Sequence, residues 1–166
     1  MYCDLISTKK TPELESMAQE LDLILFPIEE FKVVDGINDS VIRDALESKN
    51  VDIVLNPHQA RKKDALHSRN SGLNQVLCAL ASKNKVAIAV SLDYCYEAQD
   101  LGRVMQNIIL CRKAKIPFLF VSLAKNLYEL RNPRDIISFG LILGMSTQEA
   151  TRSVSVLGEI FKKKRY

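Results

Sequence analysis

The chain has 166 residues, of which 47% are apolar and 26% charged, and its formal net charge is +3. That balance suits one globular domain over residues 1–166 and excludes a disordered tract. No apolar run approaches the ~20 residues that a membrane-spanning helix needs. So small a net charge does not announce nucleic acid, and the placement of the cations has to decide.

The N-terminus, Met1-Tyr2-Cys3-Asp4, has no basic segment ahead of an apolar one and does not read as a secretory signal. Strands are expected at 2–7, 22–26, 31–34, 51–55, 86–91 and 118–122. Several are nearly all apolar, as in a parallel sheet covered on both faces. Helices are expected between them. Thr11-Pro12 reads as an N-cap followed by proline at the first helical position. Over 39–49, Val41, Ile42, Ala45 and Leu46 form an apolar face opposite Arg43. Leu73, Val76, Leu77, Leu80 and Ala81 mark the next stripe, and Leu101, Val104, Met105, Ile108 and Ile109 the one after. Beyond residue 122 the pattern is helical only. Asn132-Pro133 caps one helix, with Asp135 placed to reach back as a capping-box acid. Gly144 closes it, and Ser146-Thr147-Gln148-Glu149 opens another with a capping box.

Strand and helix in alternation imply right-handed crossovers and a parallel sheet. The expected fold class is α/β, with TIM-barrel-like parallel βα repeats and extra C-terminal helices. Six strands are fewer than a full barrel uses, so the sheet is an incomplete barrel or an open layer.

Chemistry-bearing motifs are sparse. The cysteines Cys3, Cys78, Cys95 and Cys111 are widely spaced and read as reduced thiols of a cytosolic or nuclear protein. Only Cys95 falls at a strand's C-terminal end, where a nucleophile would sit; an inert loop cysteine is the preferred reading. The two histidines, His58 and His67, lie in the polar segment 57–70. With Asp64 they match no familiar metal-ligand spacing, and solvated loop histidines are expected. There is no GxSxG elbow and no glycine-rich phosphate loop.

Basic residues carry more information. Lys9 and Lys10 follow the first strand, Arg61, Lys62, Lys63 and Arg69 follow the strand 51–55, and Lys125 follows 118–122. In a parallel sheet these loops leave one edge. Arg131 and Arg134 flank a helix N-terminus, whose free N–H groups and partial positive charge favour phosphate. The tail Lys162-Lys163-Lys164-Arg165 reads as the soluble, dipole-complementing end of a helix.

The segment from Lys125 through Arg131-Asn132-Pro133-Arg134-Asp135 to Gly144-Met145 and Ser153-Val154-Ser155 resembles the C-terminal signature of the ribonuclease P protein component 3 family. Arg69-Asn70-Ser71-Gly72 and Asn84-Lys85-Val86 through Ser91-Leu92 are similar to it as well, and the resemblance spans roughly residues 31–160. It implies a TIM-barrel-like fold related to PHP-type metal-dependent phosphoesterases. It also implies a non-catalytic, RNA-binding subunit of ribonuclease P that supports the catalytic RNA in removing 5′ leaders from precursor tRNA. The implied partners are ribonuclease P RNA, precursor tRNA, ribonuclease P protein component 2 and other protein subunits, with no membrane. No cofactor is expected in the protein, Mg²⁺ belongs to the RNA, and no residue of this chain is expected to be catalytic.

By position, the expected RNA contacts are Arg69, Arg131, Arg134, Arg43, Lys83, Lys85, Lys62 and Lys125. The chain is shorter at its N-terminus than the family, which leaves a complete barrel open. Two histidines also cannot rebuild a phosphoesterase metal centre. The rival readings are a degenerate metal phosphoesterase using His58 and His67, and a protein-interaction scaffold.

Overall fold

The structure, a computed structural model, describes residues 1–60, 64, 69–95 and 97–164. In chain order the elements are β1 (Tyr2–Ile6), α1 (Pro12–Glu20), β2 (Leu23–Pro27), β3 (Val33–Asp35), α2 (Asp39–Glu47), β4 (Ile53–Leu55), α3 (Gln75–Asn84), β5 (Ala87–Ser91), α4 (Ala98–Ala114), β6 (Phe118–Val121), α5 (Pro133–Ile142), α6 (Thr147–Ser153) and α7 (Val156–Lys164). All six expected strands form, and after β6 the chain makes helices alone. The pairings are parallel, as right-handed βα crossovers require, so this is the TIM-barrel-like α/β repeat. No described helix is long and apolar enough to cross a membrane. The chain, read above as one domain, divides by its contacts into two compact units: Met1–Phe31 with Leu119–Tyr166, and Lys32–Phe118.

In the first unit β1 pairs with β2, Tyr2 opposite Leu23 through Ile6 opposite Pro27. Thr11 caps α1 by accepting the Leu14 N–H at 3.3 Å, and Pro12 takes the first helical position. The i, i+4 pair Leu14 and Ala18 then buries against Ile6, Leu23, Leu25, Ala124 and Leu130. The segment after β6 is stitched to the end of β1: the Leu123 N–H donates to Leu5 O at 3.0 Å, and Ser7 Oγ donates to Leu123 O at 2.7 Å. Phe26, Phe31 and Phe161 pack with ring centroids 4.8–5.9 Å apart. The first unit also holds a buried carboxyl group. Asp4, 1% exposed, accepts the Leu5 N–H at 2.9 Å, the Ser122 N–H at 2.8 Å and the Ser122 hydroxyl at 2.5 Å.

The C-terminal helices follow their caps. Asn132 accepts the Arg134 N–H at 2.9 Å, and Gly144 leaves α5 at φ +90°. Ser146 and Glu149 form the expected capping box. Asp135 departs from expectation: Asn132 caps the second helical N–H, and the Asp135 carboxylate stays exposed with no hydrogen bond among the described residues.

In the second unit β3, β4 and β5 pair in order, Val33 opposite Ile53 and Ile53 opposite Ala87. Ile88 extends this edge by donating to Pro117 O at 3.0 Å. Asn38 and Asn74 cap α2 and α3 through their side-chain oxygens. After β4, Asn56 turns left-handed at φ +51°, and its side chain accepts the Ser91 N–H at 2.8 Å. Gly72, at φ +76°, passes so close to this turn that a Cβ would lie 1.8 Å from Pro57 O. Only glycine fits there. Three residues of the expected apolar stripes are exposed: Val76, Met105 and Ile109, at 58%, 40% and 48%. They lie on the outer flanks of α3 and α4, while Leu77, Cys78, Ala81, Val104 and Ile108 turn inward.

Candidate nucleic-acid interface

The C-terminal ends of β3, β4 and β5 form the edge where α/β proteins usually hold their chemistry. Here that edge is filled by side chains bonded to one another. His58, expected in a solvated loop, is 0% exposed because it packs beneath α4. Its Nε2 sits 3.1 Å from Tyr94 O, which accepts only, so Nε2 carries the proton. Burial holds the imidazole below its ordinary pKa, and Nδ1 has no partner among the described residues.

Arg103, 3% exposed, reaches Asp64 Oδ1 with Nε at 3.0 Å, His58 O with Nη1 at 3.4 Å and Asp100 Oδ1 with Nη1 at 3.8 Å. The Asn70 N–H holds the Asp64 carboxyl below its ordinary range, helped by Gln99 and Arg103. Cys95 is buried with Sγ 3.6 Å from Ser91 O, and burial pushes its thiol up to about 12. At neutral pH it is a protonated thiol, not a nucleophile. Among the described residues no three His, Cys, Asp or Glu side chains are grouped to share a metal ion. His67 lies outside the described residues.

The residues singled out as RNA contacts divide between the units. In the second, Arg69 Nη1 donates to Gly102 O at 3.2 Å, and a Cβ on Gly102 would lie 2.8 Å from that nitrogen. The guanidinium thus lies along the first turns of α4, on the edge just described. Arg43 is exposed on α2 and paired with Glu47 at 3.5 Å. Lys83 and Lys85 sit at the far end of α3, away from Arg69, because Arg69 precedes the helix and they end it. Lys62 lies outside the described residues.

In the first unit the matching residues come together. Lys125, Arg131 and Arg134 are all exposed on one short segment. The Lys125 N–H is held by Glu129 at 2.8 Å, which pins the loop. Arg131 Nη1 donates to Tyr128 O at 3.0 Å and Leu130 O at 3.3 Å, so its remaining donors face outward. Arg134 stands exposed in the first turn of α5, where the expected free N–H groups are already taken: Pro133 has none, and the Arg134, Asp135 and Ile136 N–H groups all donate to Asn132. Lys9 and Lys10 belong to the same edge through the Ser7 stitch. Sequence reasoning missed Tyr128. It is 83% exposed between Lys125 and Arg131, a flat ring on which a base can stack. The signal was present in Asn126-Leu127-Tyr128, an Asn-capped turn that pushes its third residue outward.

Parallel βα repeats, with strand-end side chains bonded to one another and loops that carry cations and an exposed aromatic, place the chain among the TIM-barrel-like α/β proteins. The family model described as RNase P subunit p30 matches residues 8–166, and the chain belongs to that family. It is 34% identical over 140 residues to ribonuclease P protein component 3 of Methanococcoides burtonii, covering 80% of this chain and 55% of the relative. It is 33% identical over 128 residues to that of Methanothermobacter thermautotrophicus, covering 74% and 49%. The chain thus spans about half the length of these curated relatives. A chain in a cryo-EM structure of archaeal ribonuclease P with mature tRNA shares the fold at TM-score 0.73 and 19% identity, over 99% of this chain and 81% of that one.

Proposed function

We propose that this chain acts as a non-catalytic, RNA-binding protein subunit of ribonuclease P, supporting the catalytic RNA as it removes 5′ leaders from precursor tRNA. The observation that carries the reading is the segment Lys125–Arg134, where three cations and Tyr128 stand exposed at a helix N-terminus. Phosphate suits the guanidinium forks, and an unstacked base suits the ring. The filled edge around Arg103 supports a role without catalytic side chains. The partners in this reading are ribonuclease P RNA, precursor tRNA, ribonuclease P protein component 2 and the other protein subunits, in the cytoplasm or nucleus. Mg²⁺ serves the RNA.

The test is reconstitution. Arg69→Ala combined with Arg131→Ala removes two exposed guanidinium groups and no buried apolar side chain. Processing of precursor tRNA at low Mg²⁺ is expected to fall at least tenfold, with an unchanged unfolding midpoint. Full processing by the double variant would refute the assignment.

A further inference from the structure

The second unit carries a recurring device on the edge opposite Arg69. Helices α2, α3 and α4 each end in a left-handed lysine: Lys49 at φ +55°, Lys85 at φ +58° and Lys115 at φ +57°. This position favours glycine, because a side chain there crowds its own backbone. A lysine is strained there, and its extended side chain gains nothing for the helix that glycine would not supply. The same choice is made in three successive βα repeats.

These lysines meet on one edge. Asn84 at the end of α3 donates its amide to Leu46 O at the end of α2, at 2.5 Å. The strands they lead into start level, Ile53 beside Ala87, with Ile88 bonded to Pro117. Lys83 and Lys113, in the last turns of α3 and α4, line one groove of about 560 Å³ with Gln75, Ser82 and Leu110. Among the described residues none of Lys49, Lys83, Lys85, Lys113 and Lys115 is in an ion pair, and all five are exposed. The nearby acids are engaged: Glu47 faces Arg43, and the Asp52 carboxylate accepts the Lys32 N–H at 2.7 Å. Complementing the helix dipole accounts for Lys83 and Lys113. It does not account for a charged residue at three strained positions where glycine completes the cap.

We infer that the Lys49–Lys85–Lys115 edge, with the Lys83–Lys113 groove beside it, is a second RNA-backbone seat, separate from the Arg69 edge. It takes phosphates of a structured RNA without reading bases, since ammonium groups on flexible stems recognise charge and not base edges. The inference rests on the ribonucleoprotein reading above and deepens it by placing a contact on the edge where the strands begin.

The test measures binding of the full chain to transcribed ribonuclease P RNA across a potassium chloride series, beside thermal unfolding. Lys49→Gly, Lys85→Gly and Lys115→Gly together relieve the left-handed strain, so unfolding should occur at the same temperature or higher. Binding should weaken about 100-fold near 0.1 M salt, and the log–log salt slope should fall by about two to three, as for three lost phosphate contacts. Lys83→Gln with Lys113→Gln, which leaves every backbone angle alone, should weaken binding in the same direction. The triple Lys→Arg variant should bind as the parent does. Parental affinity and slope in both neutralised variants, with salt-sensitive binding by the parent, overturns this inference alone. Unchanged RNA binding with loss of association to protein component 2 also overturns it, and assigns the edge to a protein partner. A parent chain that binds the RNA without salt dependence, or not at all, instead removes the ribonucleoprotein reading.

Discussion

Asp4 makes the stability of the fold depend on pH in a direction opposite to that of most carboxylates. Burial pushes its pKa from the ordinary 3.8 to about 6, even though the Ser122 hydroxyl, the Ser122 N–H and the Leu5 N–H all favour the charged form. A carboxyl that holds its proton more tightly in the folded chain stabilises the fold when protonated. Its contribution is complete below about pH 4 and is lost as pH rises through 6. The full difference is about 3 kcal/mol, and about half of it returns between pH 7.5 and 5. With an m-value near 2 kcal/mol/M, that moves a urea midpoint by about 0.7 M. His58 works the other way, since an imidazole buried neutral loses stability as acid charges it. The comparison therefore uses Asp4→Asn, which keeps the shape and the acceptor for Leu5 and Ser122 but cannot titrate. Urea unfolding of both proteins at pH 7.5 and 5 should show the parent gaining about 1.4 kcal/mol relative to the variant on acidification. A parent–variant difference that stays constant across that range would refute the buried-carboxylate argument, whatever the absolute stabilities.

Two further substitutions probe the local rules that shape the edges. Gly72→Ala forces a Cβ onto Pro57 O at 1.8 Å and strains a backbone at φ +76°, so it should cost more than about 3 kcal/mol in urea unfolding. Ser146→Ala removes one half of the α6 capping box and should cost about 1 kcal/mol, with the m-value unchanged.

What the sequence made legible was what short-range physics decides. Apolar runs such as Val51–Leu55 and Val86–Val90 could only be covered strands, and Thr11, Asn132 and Ser146 announced helix starts at their observed places. The reading failed where partners are distant in sequence or where a side chain has two uses. Asp4 and Ser122 are 118 positions apart, and nothing local marks Asp4 as buried. His58 looked solvated because its segment is polar, yet it is capped by Tyr94, 36 positions on. Val76, Met105 and Ile109 fit the helical period but lie on the margin of the stripe, where a ~100° apolar face is wider than the surface that α3 and α4 bury. A left-handed lysine leaves no trace at all in sequence, since the usual markers of that conformation are glycine and asparagine.

The two edges of the second unit differ in how freely their charges can move. At the strand ends, Arg103 ties Asp64, Asp100 and the His58 carbonyl together, and Arg69 lies flat against Gly102. The Arg103 charge is costly to move, because separating a buried guanidinium from its acids leaves it desolvated without compensation. Such an edge can present a fixed outline to a partner but cannot rearrange around a substrate. The strand-start edge has the opposite physics: its lysines are exposed and unpaired among the described residues, and they sit on long flexible stems. Water screens their mutual repulsion until a polyanion replaces the counterions. In the ribonuclease P role proposed above, a rigid outline on one edge and an adaptable cationic comb on the other divide the labour of a subunit whose RNA brings its own catalytic groups.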